Sequence, residues 1–292
     1  MTVLEVIQRS TEFLQRKGVE SPRLHSELLL GHVLQLPRLK LYLNFERALT
    51  EAELDALRPL IKRRAEREPL QHILGTASFC GLEIAVNRDV LVPRPETELL
   101  AERAVQFLST RPAQPSVVLD FGTGSGCLAI TIALQCPSAN MHALDISEAA
   151  LAIARQNAAR HQVADRIQFH LGDGFAALAA EQPFHLIVAN PPYIPSAEID
   201  ALDPEVRDHD PRLALDGGVD GLDFYRRLAA EAPARLAPGG RLMVEFGDGQ
   251  EKRLPELFER LQWRVEAVEQ DYSRRPRFLI AGRALEIDHT RD

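Results

Sequence analysis

The run Val118-Leu119-Asp120-Phe121-Gly122-Thr123-Gly124-Ser125-Gly126 restricts the fold more than any other stretch of the chain. It reads as a buried strand that ends on an acidic residue, followed by three glycines at alternate positions that lead into a helix. Glycine is required where backbone must turn sharply and let a ligand approach closely. The spacing G-x-G-x-G is not the G-x-G-x-x-G of dinucleotide enzymes, so hydride transfer fits poorly. Taken alone, the run is also compatible with a plain tight turn.

Around it, strand and helix patterns alternate. Strand candidates are 116–121, 141–146, 166–171, 185–190, 241–246, 263–269 and 277–282, with helical patterns at 96–109, 126–135, 148–161 and 221–236. Such alternation predicts an α/β fold, a seven-stranded, mostly parallel sheet covered on both faces. The last two strands are joined by a connection too short for a crossover, so they pair antiparallel.

The first part of the chain reads differently. Thr2 with Glu5 and Thr50 with Glu53 match the capping box, and Ser21-Pro22 looks like an N-cap followed by proline at the first helical position. Leu24, Leu28 and His32 fall on one helical face, with Leu29 and Val33 beside them, and Pro59 predicts a break or kink in the pattern that contains it. Short β-favouring runs then flank Asn87-Arg88-Asp89, which reads as the turn of a hairpin. The expected organisation is a helical bundle over 1–75, a hairpin linker over 76–95 and an α/β domain over 96–292.

Composition narrows the function. There are 34 Lys and Arg against 42 Asp and Glu, a net charge of −8, with 12 basic and 11 acidic residues up to 85 and 22 against 31 after it. Nucleic-acid binders gather positive charge, so no direct nucleic-acid partner is expected. Cys80, Cys127 and Cys136 form no C-x-x-C pair and suit a reducing compartment. The N-terminus lacks the pattern of a signal peptide, and no apolar run approaches a membrane span, so a cytoplasmic protein is expected. The nine histidines show no ligand spacing, and no metal is expected. Cys127, His72 and His185 read as packing residues, and Lys62-Arg63-Arg64 most simply as a solvated helix face, with an acidic or RNA-bearing partner as the alternative.

Three further strand ends carry the chemistry. Asp145 closes the strand after the glycine turn, where a carboxylate can accept from both hydroxyls of a ribose; Ser147 is the better N-cap of the following helix. Asp173, within Leu171-Gly172-Asp173-Gly174, either accepts from an adenine amino group or shapes a turn. Asn190-Pro191-Pro192-Tyr193 ends the fourth strand, and its prolines stop the ladder and stiffen the loop. A planar amide or exocyclic amine is a weak nucleophile because its lone pair is delocalised. If the Asn190 side-chain oxygen and the Pro191 carbonyl each accept one N–H, that nitrogen is held facing an electrophile, with Tyr193 packed against the planar group. Catalysis then rests on orientation and electrostatics.

With these elements in this order, the chain resembles the class I methyltransferases that use S-adenosylmethionine, and among them the release-factor glutamine methyltransferases of the PrmC/HemK family. The likeness extends to Arg67-Glu68-Pro69-Leu70-Gln71-His72-Ile73-Leu74-Gly75, to Pro93-Arg94-Pro95-Glu96-Thr97-Glu98 and to the stretch from Glu205 to Leu228. It implies a Rossmann-like fold and methylation of the glutamine amide in the Gly-Gly-Gln loop of peptide chain release factors, during translation termination. It further implies that Gly122, Thr123, Gly124, Ser125, Gly126 and Asp145 hold the cofactor, with Asp173, Gly174 and Asn190 beside it. Asn190, Pro191, Pro192 and Tyr193 would hold the glutamine, and the helical domain would help dock the release factor. Where many members of the family carry an aromatic residue after the third-strand Asp, this chain has Gly174, so adenine stacking is either lost or supplied by Phe175. Three rivals are a ribosomal-protein glutamine methyltransferase, an adenine-N6 DNA methyltransferase and a non-enzymatic cofactor-binding scaffold. The Pro93–Glu98 wording disfavours the first and the charge distribution the second. The scaffold predicts that replacing Asn190 has no effect.

Overall fold

The computed structural model describes residues 1–111, 115–180 and 182–283. In chain order the elements are α1 (Val3–Arg16), α2 (Pro22–Leu34), α3 (Arg38–Tyr42), α4 (Glu51–Ala65), α5 (Leu70–Leu74), β1 (Thr76–Phe79), β2 (Leu82–Ala85), α6 (Pro95–Ser109), β3 (Val117–Phe121), α7 (Cys127–Gln135), β4 (Asn140–Asp145) and α8 (Glu148–Arg160). They continue with β5 (Ile167–Leu171), β6 (Phe184–Ala189), α9 (Pro204–Arg207), α10 (Asp223–Glu231), β7 (Leu236–Glu245), α11 (Arg253–Arg260), β8 (Trp263–Gln270) and β9 (Pro276–Arg283). Two compact units emerge: Met1–Thr76 with Leu202–His209, and Ala77–Ala201 with the described chain from Asp210 onward. No described helix is long and apolar enough to cross a membrane.

In the helical unit both capping boxes form, with Thr2 and Thr50 accepting from the backbone of Glu5 and Glu53 and the two glutamates reaching back. Three expectations are corrected. Ser21 has φ 48° and makes no side-chain cap, because a capping hydroxyl needs extended backbone to reach the next turn. Pro59 leaves α4 unbroken; the residue is solvent-exposed, so the carbonyl it deprives of a partner lies on the hydrated side. On α2 the buried face runs through Ser26, Glu27, Leu29, Leu30 and Gly31, with His32 exposed. Glu27 is the cause. It is fully buried and accepts from Arg23 Nε and Tyr42 Oη at 2.9 Å and from Arg38 Nε at 2.6 Å, so a charged residue marks the interior side.

The basic cluster Lys62-Arg63-Arg64 is likewise not simply a solvated face. Arg64 is 3% exposed and donates to Glu205 Oε1 at 2.6 Å, while Arg67 makes a bidentate pair with the same carboxylate, both contacts at 2.6 Å. This pair is why the Leu202–His209 segment belongs to the helical unit.

In the larger unit, β1 and β2 form a hairpin whose turn is Cys80-Gly81, with φ 48° and 75°. Positive φ at both central residues matches the twist of a two-residue hairpin. The turn expected at Asn87-Arg88-Asp89 is therefore displaced; Asn87 instead closes a local Asx turn onto Asp89 N at 2.9 Å. The expected seven-stranded sheet is present in the order β5-β4-β3-β6-β7-β9-β8, parallel from β5 to β7, with β9 antiparallel to both neighbours. Successive side chains alternate between two cores. Val118, Leu186, Val188 and Met243 join one with α6, α7 and α8, and Leu119, Ile187, Ala189 and Val244 the other with α10 and α11. The helix expected over 221–236 is α10 followed by a 3₁₀ turn over Ala232–Arg235, where Pro233 ends regular α-helix bonding.

Burial alone would raise the Glu205 carboxyl, but hydrogen bonds from Arg67 and Arg64 outweigh it and hold the group down at about 2. A carboxyl depressed below its unfolded value stabilises fully above about 4.5 and loses that contribution as pH falls toward 2. Glu205→Ala is expected to cost on the order of 2 kcal/mol at neutral pH, the figure for a broken buried pair discounted for partial exposure. In denaturant melts, the gap from wild type should narrow as pH falls from about 5 toward 3.

Candidate active site

Strand order reverses between β3 and β6, the place where open α/β sheets leave a crevice at their carboxyl ends. Asp120 pairs with Val188 on β6 and with Ala143 on β4, so the loops that follow these three strands emerge side by side. A pocket opens there. Gly122, Thr123, Gly124, Ser125, Asp145, Asp173, Gly174, Asn190 and Pro192 all line it, with apolar walls that include Leu91, Leu128, Ile146 and Leu213. Ile146 and Leu213 are about half exposed.

The glycine turn has a physical basis at each step. Gly122, Gly124 and Gly126 have φ of 76°, 54° and 80°, which side chains disfavour. At Gly122 and Gly124 the space a Cβ would take is open, whereas at Gly126 it would meet Ala154 Cβ at 3.1 Å and Ile130 Cδ1 at 3.2 Å. Gly126 therefore serves helix packing, and the first two keep the pocket floor clear. Gly122 N and Thr123 N both donate to Leu144 O at 2.9 Å, which ties the turn to β4. Asn157, fully buried on α8, holds the loop from behind: its Nδ2 donates to Ser125 O and Ala85 O, and its Oδ1 accepts from Ala85 N.

Asp145 stands at the end of β4 with Oδ2 accepting from Gly124 N and Oδ1 from Ser147 N, both at 2.9 Å. Each oxygen keeps a lone pair for a ligand. Ser147 caps α8 through Ala150 N, as expected. Asp173 lines the pocket, and its carboxylate pairs with Arg227, whose Nη2 also donates to Asp173 O at 2.8 Å, a contact neither expectation foresaw. Arg227 further fills the space beside Gly174, where a Cβ would lie 2.2 Å from Nη2. Phe175 is 3% exposed and packs on Phe121 in the core, so its ring does not take the place of the missing aromatic residue. The planar group beside Gly174 is the Arg227 guanidinium. Nothing in the spacing of the chain links 174 with 227, and sequence reasoning missed it.

After β6, Asn190 and Pro192 face the pocket, while Pro191 is buried and Tyr193 is half-buried beneath it. The loop is clamped by the 212–221 segment and by Gln250. Ile194 N donates to Leu215 O, Gly217 N to Ile194 O, and Gln250 Nε2 to both Tyr193 O and Gly221 O. A Cβ at Gly247 would lie 2.7 Å from Tyr193 Cδ2, so the tyrosine ring rests directly on backbone. Asn190 Nδ2 donates to Thr97 Oγ1 at 3.1 Å, and Thr97 Oγ1 donates to Glu245 Oε2 at 2.7 Å. Thr97 lies within a motif legible in the sequence, but its contact with Asn190 is purely tertiary, and Glu245 carried no signal.

Two buried carboxyls flank the site. Burial pushes Asp120 up to about 7, partly offset by hydrogen bonds from Thr123 Oγ1 at 2.6 Å and Ala129 N at 3.1 Å. Burial also raises Glu245 to about 7, against the Thr97 hydrogen bond and the nearby Arg277. The Tyr193 hydroxyl is pushed up to about 12, mainly by burial, so it stays protonated. Burial raises the Cys127 thiol to about 12 as well, the property of a packing residue and not of a nucleophile.

Carboxyls raised above their unfolded values of about 4 bind more protons in the folded state, so stability falls as pH rises from about 4.5 to 7 and levels off beyond. Asp120→Asn or Glu245→Gln should flatten that slope in equilibrium unfolding measured across this range. Gly126→Ala should destabilise by about 1–3 kcal/mol from its left-handed backbone, with the contact against α8 added. In thermal melts it should lose more than Gly122→Ala, whose added methyl group meets open space.

Known proteins place the chain. The family model for the PrmC N-terminal domain matches residues 5–75, and that for the methyltransferase small domain matches residues 97–203. A release factor glutamine methyltransferase of Geobacter sulfurreducens is 48% identical over 259 residues, covering 89% of each chain. Another, from Moorella thermoacetica, is 39% identical over 98% of this chain and 100% of its own. Among solved structures, a methyltransferase from Pyrococcus furiosus superposes with a TM-score of 0.52 at 20% identity, over 77% of this chain and 99% of that one, a likeness of fold. Matched end to end at these identities, and with the glycine turn and the Asn190 loop meeting at one crevice, the chain belongs to the release factor glutamine methyltransferase family.

Proposed function

We propose that this protein transfers the methyl group of S-adenosylmethionine to the side-chain amide nitrogen of the glutamine in the Gly-Gly-Gln loop of peptide chain release factors. One observation carries the reading. The Asn190 amide nitrogen is engaged by Thr97, which leaves its oxygen as the acceptor at a crevice floored by an open glycine turn. A primary amide with two N–H groups is the substrate such an acceptor suits.

The residues present fit the cofactor. Gly122 and Gly124 leave room for a ligand against the backbone, Asp145 keeps lone pairs for ribose hydroxyls, and Ile146, Leu128 and Leu213 supply apolar surface for a purine. We assign Gly122, Thr123, Gly124, Ser125 and Asp145 to its binding, with Gly126 supporting the turn from behind. Asp173 and Gly174, backed by Arg227, form the adenine end, and Asn190 the reactive end. When bound, S-adenosylmethionine supplies a methyl group activated by a positively charged sulfur. Asn190 Oδ1 and the Pro191 carbonyl each accept one N–H of the glutamine, which fixes the nitrogen's face without covalent bonding. Tyr193 and Pro192 bound the planar amide. The proton released on methylation passes to solvent, and the site's own contribution is orientation.

The helical unit is assigned to docking the release factor, the hairpin to connection and the α/β unit to chemistry, in the cytoplasm and without a nucleic-acid partner. The names borne by relatives at 39–48% identity favour this substrate over a ribosomal protein or DNA.

The test is methyl-labelled cofactor incubated with a release factor, beside a factor whose Gly-Gly-Gln glutamine is replaced. Label is expected on the intact factor only. Asn190→Ala should lower kcat by about 100-fold or more with cofactor affinity nearly kept, the scale of losing one preorganised group. Gly122→Ala should instead weaken cofactor binding. Cofactor binding without label on the factor overturns the assignment.

A further inference from the structure

The buried pair behind Asn190 has a direction. Thr97 and Glu245 are 3% and 2% exposed, and their oxygens lie 2.7 Å apart. A hydroxyl has one proton to give, and above about pH 7 the Glu245 carboxylate is ionised and only accepts. Thr97 therefore spends its proton on Glu245, and only its lone pairs remain for Asn190. What reaches them is Asn190 Nδ2, at 3.1 Å. A flipped amide would set its oxygen against the oxygen of a hydroxyl whose proton is already committed. The Tyr225 hydroxyl does not compete for the carboxylate, because it donates at 2.7 Å to the Glu245 backbone carbonyl.

We propose that Thr97 and Glu245 are positioning residues for methyl transfer, locking the Asn190 amide so that its oxygen and not its nitrogen is offered to the acceptor amide. The inference rests on the role given to Asn190 above. An amide is nearly symmetric in shape, and packing alone discriminates poorly between its two orientations. The wrong one presents a donor to a donor and cannot hold the substrate nitrogen. A one-way chain ending in a buried carboxylate supplies the missing bias, and it is set before substrate arrives, as preorganisation requires.

The test reads the orientation directly. In ¹⁵N-labelled protein at pH 8, the Asn190 side-chain amide signals are identified by their absence in Asn190→Ala, and their hydrogen exchange is measured without substrate. Wild type and Thr97→Ser should show protection; Thr97→Val should lose it. With release factor, Thr97→Val should lower kcat about 10- to 100-fold while KM and cofactor Kd stay within about threefold, and Thr97→Ser should restore most of kcat. Glu245→Gln, able to donate as well as accept, should fall between the two and serves if Thr97→Val does not fold. Unchanged protection in both Thr97→Val and Glu245→Gln, or wild-type kcat in a folded Thr97→Val, overturns the lock. Protection that behaves as expected in a wild type unable to methylate release factor supports the lock and overturns the substrate assignment alone.

Discussion

A primary amide carries an acceptor and a donor in almost the same shape, and at Asn190 the hydroxyl of Thr97 determines which end faces the pocket. Much of the larger unit can be understood as support for that contact. Thr97 sits in the first turn of α6 and Glu245 at the last position of β7, so the hydrogen bond between them joins a helix to the sheet beneath it. The prolines that follow Asn190 stop the β6 ladder, and the 212–221 segment with Gln250 ties the loop down through backbone groups. Burying Glu245 and Asp120 disfavours their charged forms. That strain is of the kind found where geometry is kept for chemistry at the expense of stability.

The sheet brings the parts together by topology. The chain builds β3, β4 and β5 outward in one direction, then returns to the other side of β3 for β6 and β7. The turn after β3 and the loop after β6 are thus neighbours, although Gly126 and Asn190 are 64 positions apart. The crevice between the diverging connections is the pocket.

Polar groups also organise the helical unit, but to a different end. Glu27 and Arg64 are buried with partners that satisfy them, and Glu205 brings a segment from between β6 and α10 into the helical unit. Such pairs add little net energy, yet removing one partner leaves an uncompensated charge.

The alternation of strands and helices, the antiparallel final pair, the capping boxes, the glycine turn, Asp145 and the Asn190 loop were legible in the chain, because each is a local pattern with a local physical cause. Periodicity failed where a charge was buried, as at Glu27, and turn composition failed at the hairpin, where Cys80 takes a left-handed backbone that asparagine adopts more often than cysteine. Folding itself pairs Asp173 with Arg227, turns Phe175 inward, sets Asn157 against the glycine loop and places Thr97 and Glu245 behind Asn190. These are contacts between residues 32 to 148 positions apart. Their partners are selected by packing and by the need to satisfy buried hydrogen-bonding groups, and neither constraint is written in the neighbourhood of either residue.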